Sequence, residues 1–417
     1  MNLKQQKKTI GILHYTAPPV VGGVESVIAH HARLLAAADY PVRLLAGRGG
    51  AQDAPVEFVY LPLADSLHPL VLAAKAALDE GTVPEDFEEL VEQVTAELAT
   101  AVTHTHILIA HNVCSLHKNL ALTAALHRVC AQPGAPRLIL WHHDLAWTTP
   151  RYQAELHPGW PWDLLHQPWS DVAATHVVVS ELRRRELADL LALPPETIQV
   201  IPSGLDSDEF LRLAEDTAVL LDQIPWRQAS PRLLLPVRIT RRKNIELALH
   251  TVAALRQTMP QAGLLVTGPP GPHNPTNQLY FDELRQLRAD LGLENQVHFL
   301  AEITAAYVPD DVIADLYRLA DALFFPSREE GFGIPMLEAG LLGLPIFCAD
   351  IAPLREIAGP YATYFSPDSD PEALAIQITD HLTRSASYQL RQRVRRSYTW
   401  RGIFAEKIAP LLEEHDV

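Results

Sequence analysis

Two glutamates, Glu330 and Glu338, flank a glycine-rich turn in the segment Ser327-Arg-Glu-Glu-Gly-Phe-Gly-Ile-Pro-Met-Leu-Glu-Ala-Gly340. Gly331 and Gly333 let a backbone approach a ligand closely, and Pro335 suits a first helical turn. The helix that follows offers unpaired N–H groups and a partial positive charge to phosphate. Ionised carboxylates only accept hydrogen bonds, so beside a phosphate they are suited to holding hydroxyls. Phosphates flanked by two polyols describe a sugar nucleotide. A plainer alternative is an acidic helix start, with Glu330 near the N-cap and Glu338 on a solvated face, which helix electrostatics also favours. The two glutamates alone leave both readings open.

Other residues with chemistry to offer also follow apolar runs. Arg238 and Lys243 lie in Pro236-Val-Arg-Ile-Thr-Arg-Arg-Lys-Asn-Ile-Glu246, where a solvated basic loop is the default and a sheet edge favours phosphate binding instead. Gly22 and Gly23 open a helix after the first run, either as a tight loop or as a backbone cradle for a phosphate or hydroxyl. His142, His143 and Asp144 follow the run Leu138 to Trp141, with His111 at a similar but weaker position. Adjacent residues of an extended chain point oppositely, so this pair of histidines is poorly placed to chelate one ion, and no metal site is assigned. Trp147, Tyr152, Trp160, Trp162 and Trp169 crowd one proline-rich stretch. They suit either stacking on the C–H face of a sugar or packing as a satellite core beneath a long loop. Tryptophan favours interfaces, so a membrane surface stays as a minor alternative, but the stretch lacks a long lysine or arginine face and membrane association is not indicated.

The elements that must position these groups alternate between buried strands and amphipathic helices. Strands are expected at Thr9–Tyr15, Val42–Ala46, Phe58–Leu61, Ile107–Ala110, Leu138–Trp141, His176–Val179 and Gln199–Ile201. Helices are expected at Val24–Ala38, Asp86–Ala101, Leu116–Val129 and Glu181–Leu191. After a polar, acidic connection over 206–230, strands resume at Arg232–Pro236, Gly263–Thr267, Val297–Leu300, Ala322–Phe325, Pro345–Ala349 and Thr363–Phe365. This predicts two doubly wound α/β domains, each binding ligands at the carboxyl ends of its strands.

With 417 residues, 48% of them hydrophobic, the chain can bury more than one core. Its net charge of -16 argues against nucleic acid as a partner. Cys114, Cys130 and Cys348 show no metal-ligand spacing and read as reduced core thiols, which suits a cytoplasmic setting. The basic start Met1–Lys8 precedes an apolar run too short to span a membrane.

On Glu330 and Glu338 with seven residues between them, the chain resembles glycosyltransferase family 4, the retaining group of the GT-B fold. Gly-Gly-Val-Glu25 is similar to the family's N-terminal motif, and Arg238 and Lys243 to its diphosphate-binding pair, with Val237 where the family has glycine. Ile201-Pro-Ser-Gly-Leu-Asp206 resembles its interdomain stretch, with Ser203 in place of asparagine. The resemblance implies two Rossmann-like domains facing a central cleft. The acceptor-side domain would span 1–205, with a helix at about 400–417 packing back on it, and the sugar-nucleotide domain 206–399. It further implies metal-independent transfer, with retention, from a nucleoside diphosphate sugar to an acceptor hydroxyl, without another cofactor. The implied catalytic residues are His142, Arg238, Lys243 and Glu330. Gly22, Gly23, Phe332, Gly333, Ile334 and Glu338 would bind the donor. Two Asp-Ser-Asp triplets, 206–208 and 368–370, mimic the metal-binding motif of the other large glycosyltransferase fold. The second reads as an N-cap before Pro371, and the first belongs to the hinge. Rival readings are a GT-B epimerase or phosphorylase, or a non-catalytic sensor of sugar nucleotides.

Overall fold

Thirteen apolar runs pair into two all-parallel sheets in a computed structural model that describes residues 7–51, 55–271, 276–304 and 308–413. The first contains β1 (Ile10–Thr16), β2 (Val42–Arg48), β3 (Val56–Tyr60), β4 (Ile107–His111), β5 (Arg137–His142), β6 (Ala174–Val178) and β7 (Ile198–Val200), in the order β3-β2-β1-β4-β5-β6-β7. The second contains β8 (Arg232–Leu235), β9 (Gly263–Val266), β10 (Val297–Phe299), β11 (Ala322–Phe325), β12 (Ile346–Ala349) and β13 (Thr363–Phe365), in the order β10-β9-β8-β11-β12-β13. Winding therefore reverses between β1 and β4 in one sheet and between β8 and β11 in the other. At such switch points the loops diverge and leave a crevice.

Contacts divide the chain into two compact units, Met1–Leu205 with Ser397–Val417, and Asp206–Arg396. In the first unit, strand alternation sorts the core onto two faces. Ile10, Ile12, Ile107, Ile109, Ile139 and Trp141 share one with Trp400 and Ile403. Leu13, Leu108, Leu138 and Leu140 share the other with the helix Phe87–Ala101 and the tryptophan stretch. Burial on both faces explains why these strands read as continuous apolar runs. At the boundary, a Cβ on Gly204 would lie 2.6 Å from the Trp400 ring, so glycine lets the chain pass against the returning segment. Leu205 N–H donates to Tyr398 O at 2.7 Å and Trp400 N–H to Leu205 O at 3.2 Å.

Some elements differ from expectation. The connection 206–230 is not merely polar: it forms the helices Ser207–Leu211 and Glu215–Leu221, and Leu220, Leu221, Ile224 and Trp226 are buried in the second core. Asp206 caps the first of these helices, accepting from the amides of Asp208 and Glu209. Leu116–Val129 divides into a 3-10 turn, His117–Asn119, and the helix Leu120–Cys130. Asn119 forces the division by capping Leu122 N–H at 3.0 Å while its amide donates to Leu63 O at 2.9 Å. The helix Pro69–Asp79 was not anticipated. In the tryptophan stretch Trp162 is buried and Trp147, Tyr152 and Trp169 pack against the main core of the sheet, not a separate satellite, while Trp160 is exposed. Asp370 caps Pro371–Arg384 through Ala373 N–H at 3.0 Å. Among the described residues no helix is long and apolar enough to cross a membrane. Residues 1–6 of the basic start and 414–417 of the expected last helix lie outside the described residues.

Candidate active site

In the second unit the loops leaving β8 and β11 are sewn together. Asn244 has φ 53°, a left-handed conformation that asparagine tolerates. Its side-chain amide donates to Pro326 O at 3.2 Å and Pro367 O at 2.9 Å. Arg328 N–H donates to Arg242 O at 2.8 Å, and Arg242 Nη1 to Glu329 O at 3.1 Å. These bonds hold Lys243, 7% exposed, against Glu330, whose side chain is 8% exposed. The Lys243 ammonium donates to Glu330 Oε1, and Arg242 Nη1 stands 3.7 Å from Oε2. Burial lowers the Lys243 pKa, and the Glu330 carboxylate opposes that shift. Arg238 is exposed in the same loop. Beside it, a Cβ on Gly268 would lie 2.4 Å from Val237 O. Glycine at 268 therefore supplies a close backbone approach in the loop where Val237 replaces the family glycine.

Gly333, not Glu330, caps the helix Ile334–Leu341. Its φ is 120°, and a Cβ there would meet Leu354 Cδ2 at 2.7 Å, so both backbone and packing require glycine. Phe332 and Ile334 on either side of it are exposed, and Pro335 occupies the first turn. Glu338 follows about one helical turn later and is half-buried, not on a fully solvated face. Its Oε2 accepts from Tyr317 Oη at 2.5 Å. Burial, reinforced by this carboxylate, raises the Tyr317 pKa, so the phenol remains a donor. That bond orients one oxygen of Glu338 and leaves the other for a ligand hydroxyl.

At the β1–β4 switch of the first unit, Gly22 caps the helix Gly23–Ala37. Glu25 folds back so that its carboxylate accepts from Thr16 Oγ1 and stands 3.9 Å from His14 Nε2. A Cβ on Gly22 would lie 2.0 Å from Glu25 Oε2, whereas one on Gly23 would meet nothing within 4 Å. A side chain at 22 would displace the folded-back Glu25 carboxylate, whereas one at 23 would stand in open space. Histidines crowd the same edge: His14 Nδ1 is 2.7 Å from His111 O, and His111 Nδ1 is 3.0 Å from His143 Nε2. Burial lowers His14 and His143 to about 4 and pushes His111 well below 6.5, so these rings are neutral at pH 7. Asn112 fixes the β5 exit by accepting from His143 N–H at 2.8 Å and Asp144 N–H at 3.3 Å.

His142 and His143 part company here. Alternation along β5 puts His142 on the face of Leu138 and Leu140, where it is buried and its Nε2 lies 3.1 Å from His176 Nδ1. His143, one residue on, joins His111 and is the less buried of the two. The side chain meeting the β4 edge is therefore that of His143, not His142.

Two family models match in succession: "Glycosyltransferase Family 4" over residues 21–209 and "Glycosyl transferases group 1" over residues 220–398. The chain belongs to glycosyltransferase family 4. It is 26% identical to a mannosylglucosylglycerate synthase of Petrotoga mobilis, over 66% of this chain and 68% of that protein. It is 27% identical to the O-antigen chain mannosyltransferase B of Escherichia coli, over 59% of this chain and 61% of that protein. A D-inositol 3-phosphate glycosyltransferase of Salinispora tropica is 26% identical over 93% of this chain and 80% of its own length. The match thus spans less than two thirds of the Escherichia coli relative.

Within this family 4 glycosyltransferase, whose paired Rossmann-like units are of the GT-B class, Lys243 and Glu330 are brought into contact across the β8–β11 switch. Gly333 and Glu338 lie at the start of the helix after β11, and Arg238 in the loop after β8. Gly22 lies on the first unit's own switch. Asn112, Asn244, Gly268 and Tyr317 support these edges without being among the candidates named from sequence. The first three sit in loops that follow strands, a signal that was available. Tyr317 carries no local signal, since it reaches Glu338 from the helix Asp310–Leu319. Among the described residues, Asp79, His117 and Glu155 form a group that could hold a metal ion. Lys75 already bridges two of them, with Nζ 2.7 Å from Asp79 Oδ1 and 3.3 Å from Glu155 Oε2, tying the tryptophan stretch to the helix Pro69–Asp79.

Proposed function

We propose that this enzyme transfers a sugar from a nucleoside diphosphate donor to an acceptor hydroxyl, with retention and without a catalytic metal. The observation that carries the reading is the desolvated Lys243–Glu330 pair beside the Gly333-led helix at the switch point of the second sheet. A lysine has three N–H donors, so one can stay on Glu330 while the others meet a diphosphate. Lys243, the exposed Arg238 and the helix N-terminus would stabilise the charge that grows on the departing diphosphate. Glu330 would hold the transferred sugar and Glu338 the ribose hydroxyls. The new bond forms between acceptor oxygen and anomeric carbon on the face from which the phosphate oxygen leaves. The acceptor proton passes to that departing phosphate.

The neutral imidazoles of His143 and His111 suit an uncharged acceptor hydroxyl. Gly22 and Gly23 offer backbone at the same edge, whereas His142 enters only through the backbone that positions its neighbour. A cytoplasmic setting is in keeping with three free thiols. The relatives' names make mannosyl and other hexosyl donors the first to try.

The test is a panel of nucleoside diphosphate sugars with chelator present, read by thermal shift and by nucleotide release, for the wild type, Glu330→Ala and Lys243→Ala. One donor should stabilise the wild type and be turned over slowly, and both variants should lose turnover. Turnover that appears only with added divalent metal would overturn the metal-independent reading. A panel without any stabilising donor would overturn the site.

A further inference from the structure

A cavity of about 340 Å³ lies in the first unit among β5, β6, the tryptophan stretch and the helix Glu181–Leu191, and the transfer reaction makes no use of it. Its volume falls in the range of small-molecule sites. Leu140, Leu165, Val172, Leu187, Leu191 and Trp169 supply apolar wall, and no aspartate, glutamate, lysine or arginine lines it. The polar exception that matters is the stacked pair His142 and His176, with rings 5.4 Å apart and His142 Nε2 3.1 Å from His176 Nδ1. His142 is 2% exposed, and its Nδ1 is buried with no protein partner. A buried polar group left unpaired carries an uncompensated desolvation penalty, so a ligand that satisfies it has free energy to gain.

Burial keeps both rings neutral, holding His142 well below 6.5 and His176 at about 4. A neutral imidazole carries one N–H. If His142 Nε2–H donates across the contact, its Nδ1 is an acceptor and His176 Nε2 a donor. If His176 Nδ1–H donates instead, those roles exchange. In either state the outer nitrogens comprise one donor and one acceptor. A hydroxyl does both and meets either state. A carboxylate or ammonium does only one, and would bring an unpaired charge into an apolar site.

We propose that this cavity binds a neutral, mainly apolar alcohol, with its hydroxyl on His142 Nδ1 and its hydrocarbon body along Leu140, Leu187 and Trp169. The cavity is formed within the first unit alone.

The experiment titrates the full chain with 1-octanol, octanoate and octylammonium by calorimetry and saturation-transfer NMR. Octanol should bind saturably at one site, at least about tenfold tighter than either ion, a ratio that one good hydrogen bond alone would supply. Ala174→Phe fills the cavity from β6, and Leu193→Trp, at a half-buried position, narrows it; each should weaken octanol by about tenfold or more. His176→Phe should erase the preference for the alcohol. Near-UV circular dichroism checks folding, and Leu193→Trp decides if Ala174→Phe does not fold. No saturable octanol binding would mean that only water enters and would overturn the proposal. So would octanol binding that both cavity variants leave intact, or a preference for octanoate.

Discussion

Lys243 and Glu330 meet as an ion pair at the β8–β11 switch, whereas His14, His111 and His143 meet as neutral rings at the β1–β4 switch. Both edges are built by the same topology, yet one is charged and the other is charge-poor, with Glu25 turned back onto Thr16. Sheet order decides where a ligand can sit, and the few loop residues at that edge decide what kind of ligand. In the proposed reaction the charged edge would take the diphosphate. A neutral edge matches a hydroxyl that must not be ionised before it reacts.

The largest test of this contrast removes the charge from one edge. Lys243→Met leaves Glu330, its side chain 8% exposed, with only the exposed Arg242 guanidinium, 3.7 Å from Oε2, to offset its charge. Transfer should fall roughly 10²–10³-fold and stability by about 3–5 kcal/mol. Adding Glu330→Gln should restore most of the stability and none of the transfer, as read by denaturant unfolding beside steady-state kinetics. Recovery of both would make the pair structural and break the comparison.

Acid should separate the two units next. His14 and His143 titrate near 4 when folded and near 6.5 when unfolded. Between those values the unfolded chain binds more protons, so their contribution is complete above about pH 6.5 and is lost as pH falls toward 4. Hydrogen-exchange protection in β1, β4 and β5 should decline over that window before protection in β8 and β11 does. Earlier loss in the second unit would contradict the assignment of neutral rings to the first.

The smallest effect sharpens the charged edge. Tyr317→Phe removes one bond to Glu338, worth about 1 kcal/mol, and should raise the donor KM less than tenfold with kcat unchanged. A fall in kcat with KM unchanged would move Glu338 from holding the nucleotide to the reaction itself.

Strands were legible to within about two residues because a parallel strand buried on both faces is a continuous apolar run with abrupt ends. Ala322–Phe325 and Thr363–Phe365 match their expected bounds. The connection 206–230 was not, because two short helices rich in acids give little periodic signal, although Trp226 packs into the core of the second unit. For the candidate site, Gly333 and the glutamate spacing were readable since a turn and its helix are contiguous in sequence. Tyr317 was not, being 21 positions from Glu338.

The sequence by itself determined the succession of strands along the chain, the glycines that must turn, and the sorting of acids, bases and histidines to strand ends, because these depend on neighbours in the chain. Only the tertiary structure decided that Lys243 meets Glu330, that Asn244 holds them together, and that His142 faces a cavity while His143 faces the edge. Those outcomes depend on which strands lie side by side and which face of the sheet is covered. Such pairings are made between segments tens of residues apart, and no local pattern encodes them.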